Sequence, residues 1–193
     1  AFNLTENLGL DLHAAHNRSL TTQQADTSAG AALRYRAQGF VATLGGEVAH
    51  SAGGFKVVLR SGASGQLSED QNLSFDANYQ VVPSLEGRFT VAYSLKRGPL
   101  NLLTYHRLVN RPGSSMVEGE LALTLNFANR LQLRPSVAYR VLLDDPDGSA
   151  YQASLFAVKY FQPQLGEWHP TLGLGLGGHA LWMPGLEAMS YGL

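Results

Sequence analysis

Hydrophobic and polar residues alternate with a period of two along most of the chain. The clearest stretch runs from residue 72 to residue 81, where every odd-numbered residue is apolar and every even-numbered residue is polar. A similar alternation covers residues 85–96, after a short connection that contains Pro83. A helix would spread the two classes around its circumference, whereas a strand places them on opposite faces. The pattern therefore predicts a β-hairpin with strands of about ten residues.

The same period predicts strands in the rest of the chain: at 31–38, 120–127, 131–141 and 172–177, and more weakly at 6–16, 40–50, 54–66, 99–109 and 150–161. Turn-forming residues separate these segments at 51–54, 97–99, 111–113 and 144–148, and the longest connection runs from Asn17 to Ser28. We expect about ten to twelve strands and no helix. They form one domain, residues 1–182, followed by a C-terminal tail, residues 183–193.

Two all-β architectures share this alternation. A soluble β-sandwich buries its apolar face, whereas a transmembrane β-barrel turns that face towards lipid and its polar face towards the lumen. Strands of about 9–11 residues are long enough to cross a bilayer, while globular strands average about 5–6. The charged fraction of 15% is low, and lysine occurs only at positions 56, 96 and 159. These features favour a closed antiparallel transmembrane β-barrel.

Aromatic residues near the predicted strand ends would form the interfacial girdles of such a barrel: Phe40, Tyr79, Tyr93, Phe127, Tyr139, Phe161 and Trp182. The chain also contains 21 glycines and no cysteine. In these respects it resembles bacterial outer-membrane β-barrel proteins. Members of that class end in a strand with a terminal aromatic residue, and the nearest match here is residues 177–182, ending at Trp182. The resemblance implies a location in the outer membrane, with lipid and other envelope or surface proteins as partners.

The predicted polar, lumen-facing side of the strands has charges of both signs. By position they are Arg34, Arg36, Lys56, Arg60, Asp76, Glu86, Arg88, Lys96, Glu118, Glu120, Arg134 and Arg140, together with Glu47. A positive excess in a pore gives a mild preference for anions. Alternatively, the charges pair across strands and fill a narrow lumen, because unpaired charge there is costly. The net charge of −1 argues against nucleic acid as a partner.

The sequence has no convincing catalytic or metal-binding motif. His13 and His16 are three residues apart, so a strand puts them on opposite faces and they cannot share an ion. His106 is a candidate base, but it has no evident serine or aspartate partner. The glycines of 173–178 resemble a phosphate-binding loop, but no helix follows them, so we reject that interpretation. Glycine at 173–178 instead indicates strand curvature or close packing.

We therefore expect a non-catalytic outer-membrane barrel without a metal or cofactor. It would act as a membrane anchor or structural component, as part of a larger cell-surface assembly. One alternative is a small passive diffusion channel with mild anion preference. A further alternative is a soluble, secreted β-sandwich that binds a partner.

Overall fold

The protein is all-β. The computed structural model describes residues 2–18, 25–163, 170–186 and 188–192. Within these residues the strands are β1 (Phe2–Asn3), β2 (Leu8–Arg18), β3 (Ala25–Ala37), β4 (Phe40–Ser51), β5 (Gly54–Ser68), β6 (Gln71–Val82), β7 (Glu86–Arg97), β8 (Leu100–Arg111), β9 (Ser114–Asn126), β10 (Leu131–Leu142), β11 (Ala150–Phe161), β12 (Leu172–Met183) and β13 (Ala188–Gly192). Two 3₁₀ turns lie at Pro146–Gly148 and Pro184–Leu186. No helix in the described ranges is long and apolar enough to span a membrane.

The strands form a single antiparallel sheet in which the order in space is the order in sequence. Very short turns connect several of them. Gly39 and Gly113 occupy two of these turns with φ of 71° and 74°, a backbone conformation that glycine adopts without steric cost. The predicted hairpin of residues 72–96 is confirmed as β6 and β7, and Pro83 lies in the connection between them.

The structure corrects three details of the predicted strands. The described residues form thirteen strands rather than ten to twelve, because β1 has two residues and β13 has five. The connection predicted from Asn17 to Ser28 is too long: polar Asn17 pairs with Asp26 because backbone pairing does not require apolar side chains. Residues 183–193 were assigned no strand, yet β13 pairs with β12 there, with Met189 opposite Trp182.

The chain divides into two compact units, each with an apolar and a polar face. The first comprises Ala1–Val91 with Arg107–Ser115, and the second comprises Ala92–His106 with Met116–Leu193. In the first unit, Leu33 lies opposite Leu44 on the apolar face. In the second unit, Leu121 lies opposite Val137 on the apolar face. The register thus keeps each class of side chain on one side from strand to strand.

The apolar face is largely uncovered. Among the described residues, the buried hydrophobic side chains are Val58 and Val109, at 7% and 6% exposure, whereas 33 large hydrophobic residues are exposed. Leu44 is 63% exposed and Leu176 is 74% exposed. The described part of the chain therefore has no second layer packed against its apolar face.

Candidate functional site

The polar face of the first unit brings together six of the charged residues predicted from the sequence on strands β3 to β6. The register of these strands aligns positions 34, 43, 62 and 76, and also positions 45, 60 and 78. One side of the sheet consequently contains Arg34, Arg36, Glu47, Lys56, Arg60 and Asp76. The structure thus confirms that these side chains share a face, as the alternation along the strands predicted. That this face lines a lumen stays a prediction.

Two ion pairs connect neighbouring strands on this face. Arg34 contacts Asp11 with a nitrogen–oxygen distance of 2.9 Å, and Arg60 contacts Glu47 at the same distance, 2.9 Å. The Arg60 side chain is 59% exposed and the Glu47 side chain 24%, so water screens the pair and its contribution is about 0.2–1 kcal/mol. Asp11 was not among the predicted anions, although its apolar neighbours Leu10 and Leu12 give the alternation that would have placed it there.

Glu86 and Arg88 line an open cavity of about 160 Å³, together with Asn78, Gln80, Val109, Asn110 and Arg111. The Ser84 hydroxyl donates a hydrogen bond of 2.8 Å to the Glu86 carboxylate. The Gln80 amide nitrogen in turn donates to the Ser84 backbone oxygen at 3.5 Å. This end of β6 and β7 is therefore cross-linked by side-chain hydrogen bonds.

The polar face of the second unit contains Glu118, Glu120, Arg134 and Arg140. Arg140 lies opposite Glu118 in the register and approaches its carboxylate to 3.6 Å. Arg134 donates from Nε to the Gln132 side-chain oxygen at 2.6 Å. Lys96, the remaining predicted residue, lies near the end of β7. The Arg140 and Glu118 side chains are 61% and 16% exposed, so this pair too is partly hydrated.

Three glycines of β12 make room for larger side chains of β11 on the polar face. Gly177 lies opposite Phe156, and Gly173 lies opposite Tyr160. A Cβ atom on Gly177 would be only 2.0 Å from the Phe156 ring. The glycines predicted to permit close packing therefore do so, with aromatic rings covering the bare backbone.

Aromatic side chains mark the ends of the apolar face in the second unit. Tyr139, Tyr151 and Trp182 are in register on β10, β11 and β12, and the Tyr151 and Trp182 rings are 5.2 Å apart. Phe161 lies at the other end of β11. Tyr151 and Phe161 are ten residues apart on this side of β11, and Ala153, Leu155, Ala157 and Lys159 lie between them.

His106 has partners that the sequence did not reveal. Its Nδ1 atom is 2.7 Å from the Tyr139 hydroxyl, and its Nε2 atom is 3.1 Å from the Thr104 hydroxyl. Gly119 leaves the space for this arrangement, because a Cβ there would be 2.7 Å from the Tyr139 hydroxyl. Both imidazole nitrogens are therefore hydrogen-bonded within the protein.

A second polar cluster lies at one end of the apolar face of the first unit. His16 is opposite Thr27, and Thr27 is opposite His50, so the three residues form a row across β2, β3 and β4. The His16 Nδ1 atom is 2.8 Å from the Thr27 hydroxyl. His13 pairs with Gly30 instead, and its ring lies beside Gly30, as expected for the opposite face.

Comparison of the chain with protein-family models and with curated proteins found no match. In the described ranges, no three histidine or acidic side chains are grouped so that they could hold a metal ion.

Proposed function

We propose that this chain is the membrane-embedded β-barrel of a bacterial outer-membrane protein and acts as a non-catalytic anchor or structural component of a cell-surface assembly. The observation that carries the proposal is the exposed apolar face. Removing one leucine, valine or phenylalanine side chain from water is worth about 1.5–3 kcal/mol. Among the described residues 33 large hydrophobic side chains are exposed, and although a few, such as Phe156, lie elsewhere, most belong to the apolar face, so a surrounding apolar medium stabilises the sheet where water does not.

The height of the apolar face supports a bilayer as that medium. Tyr151 and Phe161 are ten residues apart on β11, as are Phe40 and His50 on β4. Ten residues of strand span about 33 Å, and a tilt of about 40° reduces this to about 25 Å across the membrane. That is the height of the outward apolar band of outer-membrane barrels.

The position of Lys159 is compatible with this orientation. It occupies the apolar side of β11, two residues before Phe161. Its ammonium group donates a hydrogen bond to the backbone oxygen of Asn129, in the turn that precedes β10. A lysine near the edge of an apolar band can extend its charge towards the interface in this way.

The order of the strands supports the proposed barrel. Strands that are consecutive in sequence are neighbours in the sheet, as in an up-and-down barrel. Such a sheet has to close in lipid, because lipid cannot satisfy unpaired backbone N–H and C=O groups.

Charge compensation favours an anchor over an anion channel. Arg34, Arg60 and Arg140 each contact a carboxylate on a neighbouring strand. Asp11 adds an acid to the five predicted from the sequence, which reduces the positive excess of the polar face. Paired charges give a weaker selectivity field than a ring of one sign.

Heat-modifiable migration tests the barrel. After refolding in detergent, the unboiled chain should resist SDS and migrate apart from the boiled chain. A folded monomer that remains soluble in buffer without detergent or lipid would refute the membrane assignment.

Conductance across planar bilayers tests the anchor. If the chain is an anchor, the bilayer current should show no discrete channel openings. Stable current steps with a preference for anions would instead show that the chain is a diffusion channel.

A further inference from the structure

We propose that His16, Thr27, His50 and Arg18 bind the phosphate group of a membrane lipid at the rim of the apolar face. This inference rests on the proposed membrane location and adds a specific lipid chemistry to it. It concerns the outward face of β2, β3 and β4 in the first unit, away from the ion pairs of the polar face.

The register gathers these side chains from three strands. Directly opposed residues have Cβ atoms about 4.5–5.5 Å apart, so His16, Thr27 and His50 occupy a row of about 10 Å. Arg18 follows His16 by two residues and therefore lies on the same face. All four side chains are exposed, and the Thr27 hydroxyl already orients one His16 ring nitrogen at 2.8 Å.

The chemistry of the row matches a phosphate monoester or diester. A guanidinium group, two imidazoles and a hydroxyl supply hydrogen-bond donors, and arginine adds a permanent positive charge. The nearest acid in sequence, Asp26, pairs with Asn17 and lies on the opposite face. It is therefore directed away from a bound phosphate.

The location of the row points to a phosphate attached to a lipid. The next outward residues along the three strands are Ala14, Ala29 and Val48, which begin the apolar surface. A ligand held by the row would thus extend its acyl chains over an apolar surface. At the other end of the same strands, Tyr35 and Phe40 occupy the outward positions. In the described residues of these three strands, the outward arginine and histidine side chains therefore lie at one rim.

Fluorescence quenching at a single site measures lipid preference beside the row. Because the chain contains no cysteine, a Val48→Cys substitution gives a unique attachment point for a bimane label, two residues from His50. The full chain is refolded into vesicles of four parts phosphatidylcholine and one part phosphatidic acid. A nitroxide quencher is placed on the acyl chain of one lipid or the other. We expect the phosphatidic acid to be preferred by roughly tenfold at this site, since several charge-assisted hydrogen bonds distinguish it.

Variants separate the proposed site from general surface charge. Combined His16→Ala, Arg18→Ala and His50→Ala substitutions should reduce the preference to near unity, while the quenching by phosphatidylcholine persists. His13→Ala removes an imidazole from the opposite face of the same strand and should leave the preference unchanged. A preference that survives the triple substitution, or that is absent in the parent, would overturn the proposal.

Two further results show whether the bound phosphate belongs to a lipid or is free in solution, and whether the apolar face contacts the membrane at all. Inorganic phosphate in the buffer should not abolish the preference, and complete competition by it would assign the row to a free anion instead of a lipid. If neither lipid quenches the label, the apolar face does not contact the bilayer, and the proposed membrane location fails together with the site.

Discussion

Leu44→Arg places a charge near the middle of the apolar face. Leu44 lies on β4 between Phe40 and His50, which bound the apolar stretch of that strand, and its side chain is 63% exposed. Its cross-strand neighbours are Leu33 and Ser61. The arginine can therefore adopt an extended rotamer without displacing a packed core, and the medium around it determines the cost of the substitution.

The two architectures predict different magnitudes. An arginine at the bilayer midplane of a β-barrel costs about 2–4 kcal/mol, while one near the interface costs about 0–1 kcal/mol. At an exposed surface position of a soluble protein, the change is usually within about 0.5 kcal/mol. Phe55→Arg is the matched control for depth, because Phe55 lies directly opposite His50 at the rim.

Urea unfolding from phosphatidylcholine vesicles, followed by tryptophan fluorescence, measures these differences. Leu44→Arg should reduce the folding equilibrium constant by about 30- to 700-fold, and Phe55→Arg by at most about fivefold. Equal and small effects of both substitutions would refute the assignment of this face to lipid. A loss for Phe55→Arg as large as that for Leu44→Arg would refute the proposed depth of β4.

Two smaller perturbations test the polar face. Gly177→Ala should destabilise the protein by about 1–3 kcal/mol in the same unfolding assay, because the new Cβ would be 2.0 Å from the Phe156 ring. Gly9→Ala, on the polar side of β2 opposite Arg34, would place its Cβ 3.6 Å from the nearest atom and should be neutral or slightly stabilising; equal losses at both glycines would contradict the packing. Glu47→Gln removes the ion pair with Arg60 and should lower the free energy of unfolding by about 0.2–1 kcal/mol at low salt. High salt should reduce this loss, because salt screens exposed charges, and a loss that does not depend on salt would contradict a hydrated ion pair.

The alternation of side chains made most of the sheet predictable. β6 and β7 follow directly from the sequence, because odd and even positions differ in polarity throughout 72–81 and, apart from Ala92, throughout 85–96. β13 was missed because it has only two outward apolar residues, Met189 and Tyr191, and so short an alternation resembles a coil. That segment forms a strand because it pairs with β12, and its local sequence does not indicate this.

The cluster of His16, Thr27 and His50 was less predictable, because it depends on register. The tight turn at Gly39 pairs Ala37 with Phe40, and that register, carried back along β3, places Thr27 opposite His50. Sequence periodicity assigns a face to each histidine but not a partner on the next strand. The hydrogen bonds of His106 were hidden for the same reason, since Tyr139 is 33 residues away.

Collision accessibility of nitroxide labels along β4 measures which side of the strand faces lipid. Single cysteines at positions 41–49, introduced into a chain that has none, are labelled and the protein is refolded into vesicles. If the apolar face contacts lipid, labels at even-numbered positions should collide most often with oxygen, which concentrates in the bilayer. Odd-numbered positions should favour a water-soluble nickel complex, with a period of two throughout. Nickel accessibility at positions 44 and 48 equal to that at 43 and 47 would contradict a lipid-facing apolar surface.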